Sequence, residues 1–162
     1  MSDKLIEVKN LKVHYPIRSG FFNRITDYVY AVDGVDLAFE EGKTYGLVGE
    51  SGSGKSTIGK AIIGLEKITD GQIFYKGEDV SQQARKRRSE YRQNVQMIFQ
   101  DAMSSFNPKR RISDIMSEPL RNFTNMTPEE EKRRSIELLE IVGMSEDALY
   151  KYPHQFLSLI HI

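Results

Sequence analysis

The first forty residues alternate apolar and polar positions, which is the pattern of β-strands with one buried face. The alternation runs through residues 5–15 with a break near Asn10. It returns at residues 35–40, which end in a turn at Glu41-Gly42. Residues 17–28, between the two stretches, are interpreted as a loop insertion. The start of the chain is therefore predicted to be strand-rich and antiparallel.

The middle of the chain changes to short, continuous apolar runs bounded by glycines and other turn residues. Residues 44–48 form one such run and predict a strand, and residues 58–65 have the apolar spacing of a buried helix. Turn signals on both sides set off residues 72–75 as a further strand. Residues 95–99 form a compact apolar run that suits a strand buried in a parallel sheet. This section therefore predicts an α/β arrangement.

The last part of the chain predicts a helical section that begins near residue 112. Thr127 can cap a helix, Pro128 fits the first helical turn, and Glu130 can complete a capping box. Gly143 is expected to end that helix. The apolar stripe of the helix consists of Ile136, Leu139 and Val142.

Composition narrows the class of protein. The chain has 162 residues, 39% of them hydrophobic, which suffices for one domain with room for a small lobe. Lys plus Arg and Asp plus Glu number 23 each, so only a local patch could attract nucleic acid or an acidic membrane. The basic run 85–88 is interpreted as a solvated helix face. The absence of cysteine fits a reducing compartment, and without a membrane-spanning run, recruitment to a membrane is expected to need another protein.

The strongest chemical feature is a complete P-loop motif between the predicted strand at 44–48 and the predicted helix at 58–65. Glycines let backbone N–H groups converge on phosphate oxygens, and the helix N-terminus adds partial positive charge. Lys55 can reach the β- and γ-phosphates, and the Ser56 hydroxyl can bind Mg²⁺. The motif therefore predicts a nucleotide-binding site. Its residues are Gly49, Glu50, Ser51, Gly52, Ser53, Gly54, Lys55, Ser56 and Thr57.

Four further blocks narrow the kind of nucleotide-binding protein. They are AVDGV at 31–35, MIFQD at 97–101, SFNP at 105–108 and EPL at 118–120. Together with the P-loop, this order of blocks resembles the ATP-binding subunits of ABC transporters of the oligopeptide/dipeptide import type. The resemblance spans about residues 5–156. It implies an α/β P-loop fold of ABC type, with a strand-rich N-terminal subdomain and the start of a helical subdomain at about residues 112–156.

The resemblance also implies roles for residues outside the P-loop. Tyr15 matches the aromatic residue that stacks on adenine, with a strand tyrosine packed in the core as the alternative. Gln100 matches the Q-loop glutamine, which reaches Mg²⁺ and the attacking water; taken alone, it would be an ordinary surface residue. The implied catalytic residues are Lys55 and Gln100, and the implied metal ligands are Ser56 and Gln100. The implied cofactors are ATP and Mg²⁺.

The family resemblance implies that the parent protein powers import of oligopeptides, dipeptides or a related solute by binding and hydrolysing ATP. Implied partners are a second ABC ATPase subunit, identical or different, and transmembrane permease subunits, with a solute-binding protein acting indirectly. The chain would lie at the cytoplasmic face of the cell membrane as a peripheral protein that does not bind nucleic acid. A P-loop kinase or GTPase is the rival class, but the sequence contains no guanine-reading motif.

The sequence departs from the family after residues 152–156. The family continues with a Ser-Gly-Gly-Gln signature and later an apolar strand ending in Asp-Glu, whereas this chain continues with residues 157–162, LSLIHI. We therefore expect a partial ABC domain over residues 1–156, followed by a non-native or frame-shifted tail. Without the central strands, residues 44–48 and 95–99 are expected to keep bare apolar faces. This chain alone is expected to bind ATP without hydrolysing it; a non-catalytic nucleotide-binding or interaction fragment is the alternative.

Overall fold

The chain forms two compact units, Met1–Met97 and Ile98–Ile162. The first contains a sheet and the P-loop, and the second consists mainly of helices. The basic run predicted to be a solvated helix face lies outside the described residues. The computed structural model describes residues 4–82, 90–101 and 105–159.

The first unit is built on a four-stranded antiparallel sheet with the strand order β2-β1-β3-β4. The long strand β1 lies between β2 and β3, and it is hydrogen-bonded on both edges from Ile6 to Lys12. The predicted strands at the start of the chain and at 72–75 are therefore confirmed. The strands are β1 (Lys4–Ser19), β2 (Arg24–Glu40), β3 (Asp70–Tyr75) and β4 (Glu78–Asp79).

The break predicted near Asn10 is a β-bulge. Asn10 has a φ of 47°, and the register between β1 and β2 shifts between Val8 and Leu11. In a regular strand, residues three apart point to opposite faces, whereas the extra residue of a bulge returns them to the same face. Val8, Leu11 and Val13 are all buried as a result. The Asn10 backbone N–H donates to Asp36 Oδ1 at 2.9 Å, which holds the bulge against β2.

The loop insertion predicted at residues 17–28 is wrong, because β1 and β2 continue through it as a hairpin. Arg18 pairs with Ile25 and Ser19 pairs with Arg24. Only residues 20–23 form the turn, in which the Asn23 N–H donates to the Gly20 carbonyl at 3.0 Å. The polar and glycine residues that suggested a loop are those of a short turn. The flanking residues gain ladder hydrogen bonds instead.

The helix that follows the P-loop packs on the sheet. The helix predicted at 58–65 is present but lies three residues earlier, as α1 (Lys55–Ile62), with Ile58 and Ala61 buried. A short helix, α2 (Glu90–Asn94), adds Tyr91, whose hydroxyl donates to the Ile62 carbonyl at 2.7 Å. The core of this unit therefore joins sheet and helices. It consists of Val8, Leu11, Val13, Val32, Ile58, Ala61, Ile73, Val80 and Tyr91.

The strands predicted at 44–48 and 95–99 are wrong, because neither segment is a strand in the structure. Leu47 is 50% exposed, and Val48 and Ile98 are each 93% exposed. A parallel strand forms only where neighbouring strands supply its hydrogen-bonding partners, and none of the described strands pairs with either segment. All side chains of residues 44–48 are exposed, whereas Val95, Met97 and Phe99 remain partly buried.

The described residues of the second unit form two α-helices, α3 (Ile112–Phe123) and α4 (Pro128–Ile141), followed by 3₁₀ segments at Glu146–Tyr150 and Pro153–Leu159. The predicted capping box of α4 is confirmed. The Thr127 N–H donates to Glu130 Oε2 at 2.8 Å, and the Glu130 N–H donates to Thr127 Oγ1 at 3.3 Å. None of the helices in the described ranges is long and apolar enough to cross a membrane.

The core of the second unit is small and lies along α4. Leu139 is buried there and Ile136 is partly buried, as predicted. Val142 is 66% exposed, so its place in the predicted stripe is wrong: the helix ends at Ile141, and Gly143, with a φ of 75°, takes the chain away. The remaining buried or partly buried members are Met116, Ala148, Leu149 and Phe156.

Candidate functional site

The P-loop requires glycine at the residue that precedes α1. Gly54 has a φ of 88°, in the left-handed region that favours glycine. A Cβ built on Gly54 would lie 2.4 Å from the carbonyl oxygen of Ala31, inside van der Waals contact. The loop therefore passes against the backbone of β2 at a distance that no other residue allows. Ala31 belongs to the AVDGV block, whose contribution to this site the sequence interpretation missed.

The loop also closes on itself. The Ser53 N–H donates to the Glu50 carbonyl at 3.2 Å, which forms a turn between the two ends of the glycine-rich stretch. A Cβ on Gly49 would lie 2.8 Å from Ser53 Oγ, so a side chain there would push Ser53 away. Gly52, in the middle, has a φ of 82°. The glycines of the motif thus allow the loop to curve, and they also leave its backbone accessible to phosphate.

Lys55 is the first residue of α1, and its side chain folds back over the loop. Its ammonium Nζ donates to the carbonyl of Gly49 at 2.8 Å, to the carbonyl of Glu50 at 2.5 Å and to Ser53 Oγ at 3.2 Å. The positive charge is therefore held at the loop, at the positive end of the helix dipole. An anion bound at this point would meet the ammonium group and would replace some of its bonds to the carbonyls.

The N-terminus of α1 offers further donors. The Ile58 N–H donates to the Gly54 carbonyl at 2.9 Å, so helical hydrogen bonding starts there. The N–H groups of Lys55, Ser56 and Thr57 precede that bond and have no intrahelical acceptor. The first turn of α1 contains no acidic residue, and Ser56 is exposed. Backbone donors, the ammonium group and the Ser56 hydroxyl together form a site suited to a polyphosphate.

Tyr15 lies close to the end of the P-loop. Burial raises the pKa of the Tyr15 phenol, and the neighbouring Glu66 carboxylate raises this pKa further, whereas the Thr57 hydroxyl lowers it. The phenol group is thus within reach of Thr57, the last residue of the motif. Tyr15 lies inside β1 opposite Val29 rather than at the end of the strand as predicted, because the hairpin is longer than predicted. Sequence reasoning did not identify Glu66, which belongs to no motif.

Tyr15 and Gln100, the candidate residues outside the P-loop, are both exposed. Tyr15 is 38% exposed, so its ring is not fully packed in a core, and its proposed stacking on adenine stays a prediction. Gln100 is exposed and follows a segment that is not a strand, and it belongs to the second unit. Its proposed role in binding Mg²⁺ and water stays a prediction. In the described residues, no group of three or more His, Cys, Asp or Glu side chains is arranged to hold a metal ion.

Curated relatives of this chain are peptide-transport proteins. It is 59% identical over 153 residues to the oligopeptide transport ATP-binding protein OppF of Lactococcus lactis subsp. lactis (strain IL1403), covering 94% of this chain and 48% of the relative. It is 41% identical to OppF of Salmonella typhimurium, with 94% and 46% covered. It is 34% identical to the dipeptide transport ATP-binding protein DppF of Escherichia coli, with 96% and 46% covered. The chain therefore spans about half the length of these relatives.

Solved structures with the same fold are ATP-binding cassettes. The dimeric post-hydrolysis state of the cassette MJ0796, bound to ADP and Pi, matches with a TM-score of 0.72 and 25% identity, covering 93% of this chain and 62% of that chain. The dimeric structure of MJ0796 described as a bacterial ABC transporter cassette matches with a TM-score of 0.71 and 26% identity, with the same coverage. The family model of ABC transporters matches residues 32–158, so the chain belongs to the ABC transporter family.

Proposed function

We propose that this chain is the ATP-binding part of a subunit that powers import of oligopeptides, dipeptides or a related solute. The observation that carries the proposal is the P-loop geometry, in which Gly54 lies against Ala31 and the Lys55 ammonium lies within the loop. The names of the curated relatives support the peptide class of solute. A kinase or GTPase function has no comparable support, since those relatives are transport ATP-binding proteins.

Phosphate binding follows from the donors at the start of α1. The N–H groups of Lys55, Ser56 and Thr57 would bind phosphate oxygens, and Lys55 would neutralise the charge of the β- and γ-phosphates. The glycines provide the fit, because side chains at positions 49 and 54 would collide with Ser53 and Ala31. Phosphate oxygens would replace the carbonyls of Gly49 and Glu50 as partners of the ammonium group.

Mg²⁺ would be held by the Ser56 hydroxyl together with the phosphates. Mg²⁺ is commonly bound in proteins through one or two protein oxygens, water and the phosphates of a nucleotide, so a cluster of carboxylates is not required. The ion would neutralise charge on the β- and γ-phosphates. Gln100 is the second proposed ligand and the residue proposed to orient the attacking water.

Adenine would stack on Tyr15. The phenol group lies near Thr57, at the end of the phosphate loop, and part of the ring is exposed. An aromatic face binds a base through stacking that is worth roughly 1–3 kcal/mol and distinguishes poorly among bases. Glu66 would help to fix the ring by accepting a hydrogen bond from the phenol.

ATP hydrolysis and solute transport are proposed for the whole protein. Two cassettes are expected to close on ATP, which the dimeric state of the MJ0796 cassettes supports. Transmembrane permease subunits would receive the movement at the cytoplasmic face of the membrane, and a solute-binding protein would deliver the solute. This chain alone is proposed to bind Mg-ATP without turning it over.

The test is titration of the purified chain with a fluorescent ATP analogue in the presence of Mg²⁺. Lys55→Ala removes the ammonium group at the loop and should weaken binding by at least about tenfold, since a hydrogen bond to a charged group is worth about 1.5–3 kcal/mol. Lys67→Ala, at an exposed lysine outside the loop, is the matched control and should bind like the unchanged chain. Equal affinity of Lys55→Ala and the unchanged chain would remove the phosphate-loop assignment.

A further inference from the structure

We propose that the tip of the β1–β2 hairpin binds the surface of a membrane that contains anionic lipids. This surface is separate from the P-loop, and its role goes beyond nucleotide binding. The hairpin tip consists of Ile17, Arg18, Phe21, Phe22, Arg24 and Ile25. Its backbone, its exposed apolar side chains and its charge point to the same ligand.

The hairpin tip has a defined shape. The ladder between β1 and β2 continues to the pair Ser19 and Arg24, next to the turn. Gly20 and Asn23 both have positive φ values, and the Asn23 N–H donates to the Gly20 carbonyl at 3.0 Å. Arg18 Nη1 donates to the Asn23 carbonyl at 3.4 Å, across the base of the turn. The turn therefore presents its side chains in a fixed arrangement.

Two aromatic rings at the hairpin tip lie in solvent. Phe21 is 100% exposed and Phe22 is 79% exposed, and the two rings meet edge to face with centroids 5.8 Å apart. Ile17 and Ile25, one on each strand next to the turn, are also exposed. Exposed apolar side chains that are clustered and ringed by polar groups mark an interaction site, whereas single exposed ones need no explanation. The exposed apolar side chains at the hairpin tip therefore indicate an interaction site.

The charge of the hairpin tip selects the kind of ligand. Residues 16–26 include Arg18 and Arg24 but no Asp or Glu, and the nearest acidic residue is Asp27, opposite Ile17 at the base of the tip. The tip therefore carries two positive charges against one negative charge, on a chain without net charge. The Arg24 guanidinium lies over the Phe22 ring at 5.8 Å, which places charge directly beside the apolar group. At a membrane, the aromatic rings would enter the boundary of the acyl chains, and the arginines would remain among the anionic headgroups. Such a surface would therefore accommodate both the apolar and the charged groups of the hairpin tip.

A lipid surface fits the hairpin tip better than a protein partner does. A specific protein interface buries about 1,200–2,000 Å² in total, and the end of a two-stranded hairpin supplies a small part of that area. A lipid surface has no such minimum, because each apolar side chain and each arginine contributes separately. This contact would add to any recruitment of the chain by other subunits.

The experiment is co-sedimentation of the purified full chain with vesicles. One set contains phosphatidylcholine alone, and the other contains equal parts of phosphatidylcholine and phosphatidylglycerol. The unchanged chain should bind the second set only, and salt should weaken binding. Arg18→Gln with Arg24→Gln should lower the partition coefficient by about 30-fold, since each basic residue near an anionic surface is worth about 1 kcal/mol. Phe21→Ser with Phe22→Ser should lower it by at least about tenfold.

Matched controls separate the hairpin tip from other exposed groups. Ile141→Ser with Val142→Ser removes two adjacent exposed apolar residues of the second unit, and Arg133→Gln with Arg134→Gln removes two exposed charges of α4. Both controls should bind vesicles like the unchanged chain. Circular dichroism of every variant checks the fold, which the exposed hairpin-tip substitutions should leave intact.

Three results would overturn the proposal. The first is no binding of the unchanged chain to the anionic vesicles. The second is binding that survives both hairpin-tip variants, or that the control variants lower equally. The third is binding to bacterial membrane vesicles that depends on the hairpin tip but is lost on protein-free vesicles made from the same lipids, which would assign the tip to a protein partner instead.

Discussion

Two apolar stretches of the first unit have different structures although both lead to the P-loop. The β1–β2 pair forms a long ladder, interrupted by bulges, with buried residues such as Leu11, whereas residues 44–48 form no strand and expose Leu47. The pair is joined by a short turn, so each strand finds its partner within its own neighbourhood of the sequence. Residues 44–48 have no paired strand among the described ones. A hydrophobic sequence alone therefore does not make a segment a strand, because its backbone also needs a neighbouring strand as a hydrogen-bonding partner.

The largest expected effect on stability comes from removing the side chain of a buried leucine in the β1–β2 pair. Leu11→Ala should lower the free energy of unfolding by about 2–5 kcal/mol, because the residue is fully buried in the core of the first unit. Leu47→Ala, at a half-exposed leucine of residues 44–48, should change it by no more than about 0.5 kcal/mol. Urea unfolding followed by circular dichroism measures both. Similar losses would show that residues 44–48 pack as tightly as the sheet.

The next effect concerns the contact between the P-loop and β2. Gly54→Ala should cost about 1–3 kcal/mol of stability, since alanine at a φ of 88° is strained and its Cβ would overlap the Ala31 carbonyl. Binding of the fluorescent ATP analogue should fall with it. Gly46→Ala is the control within residues 44–48, because a Cβ at Gly46 meets no atom within 4 Å. A Gly54→Ala chain that unfolds and binds like the unchanged chain would contradict the described contact.

A tyrosine in each of the two stretches, Tyr15 in β1 and Tyr45 in residues 44–48, allows their contributions to nucleotide affinity to be compared. Tyr15→Ala should weaken binding of the ATP analogue by about 1–3 kcal/mol, whereas Tyr15→Phe keeps the ring and most of the affinity. Tyr45→Ala removes an exposed tyrosine from residues 44–48 and should leave the affinity unchanged. The measurement is the dissociation constant from fluorescence titration. An unchanged affinity in Tyr15→Ala would exclude stacking on this residue.

The smallest effect is a dependence of sheet stability on pH. Asp79 accepts hydrogen bonds from the Ser81 hydroxyl and N–H and from the Gln72 amide, and these bonds lower the pKa of Asp79 below its ordinary value of 3.8. The stabilisation is therefore complete above about pH 4 and is lost as the pH falls through the lowered pKa. Asp79→Asn should remove this part, which is under about 1 kcal/mol because the group is exposed.

The measurement for Asp79 is urea unfolding at a series of pH values from neutral to acid. The unchanged chain should lose stability relative to Asp79→Asn as the pH falls below 3.8. Ser81→Ala, which removes the largest cause of the lowered pKa, should give a profile between the two. Parallel profiles of all three chains would show that the hydrogen bonds at the end of β3 and β4 do not affect folding.

Local features of the fold could be predicted because their partners lie close in sequence. The capping box joins Thr127 and Glu130, three residues apart, and Gly143 ends α4 through its own backbone conformation. The break at Asn10 is similarly visible, because the apolar alternation changes phase where the bulge lies. The phosphate loop also belongs to this group, since its donors come from neighbouring residues at the start of a helix.

Features that depend on distant partners could not be predicted in this way. Glu131 is buried although it is a charged residue, and its Oε2 accepts a hydrogen bond from Arg121 Nε at 2.8 Å. Nothing in the local sequence pattern around Glu131 indicates this burial. The hairpin at 17–28 has turn residues, but whether its flanks pair or remain a loop depends on register across the two strands. Residues 44–48 show the opposite case, in which a strand-like pattern lacks a paired strand.

The sequence by itself determined the family, the phosphate loop and the local ends of the helices, because each depends on residue types at fixed short spacings. The tertiary structure decided that Gly54 lies against Ala31, that Tyr15 reaches Thr57, and that the apolar residues 44–48 remain exposed. The physical reason is the range of the interactions. Caps and turns close within a few residues, whereas strand pairing and burial require groups that only the folded chain brings together.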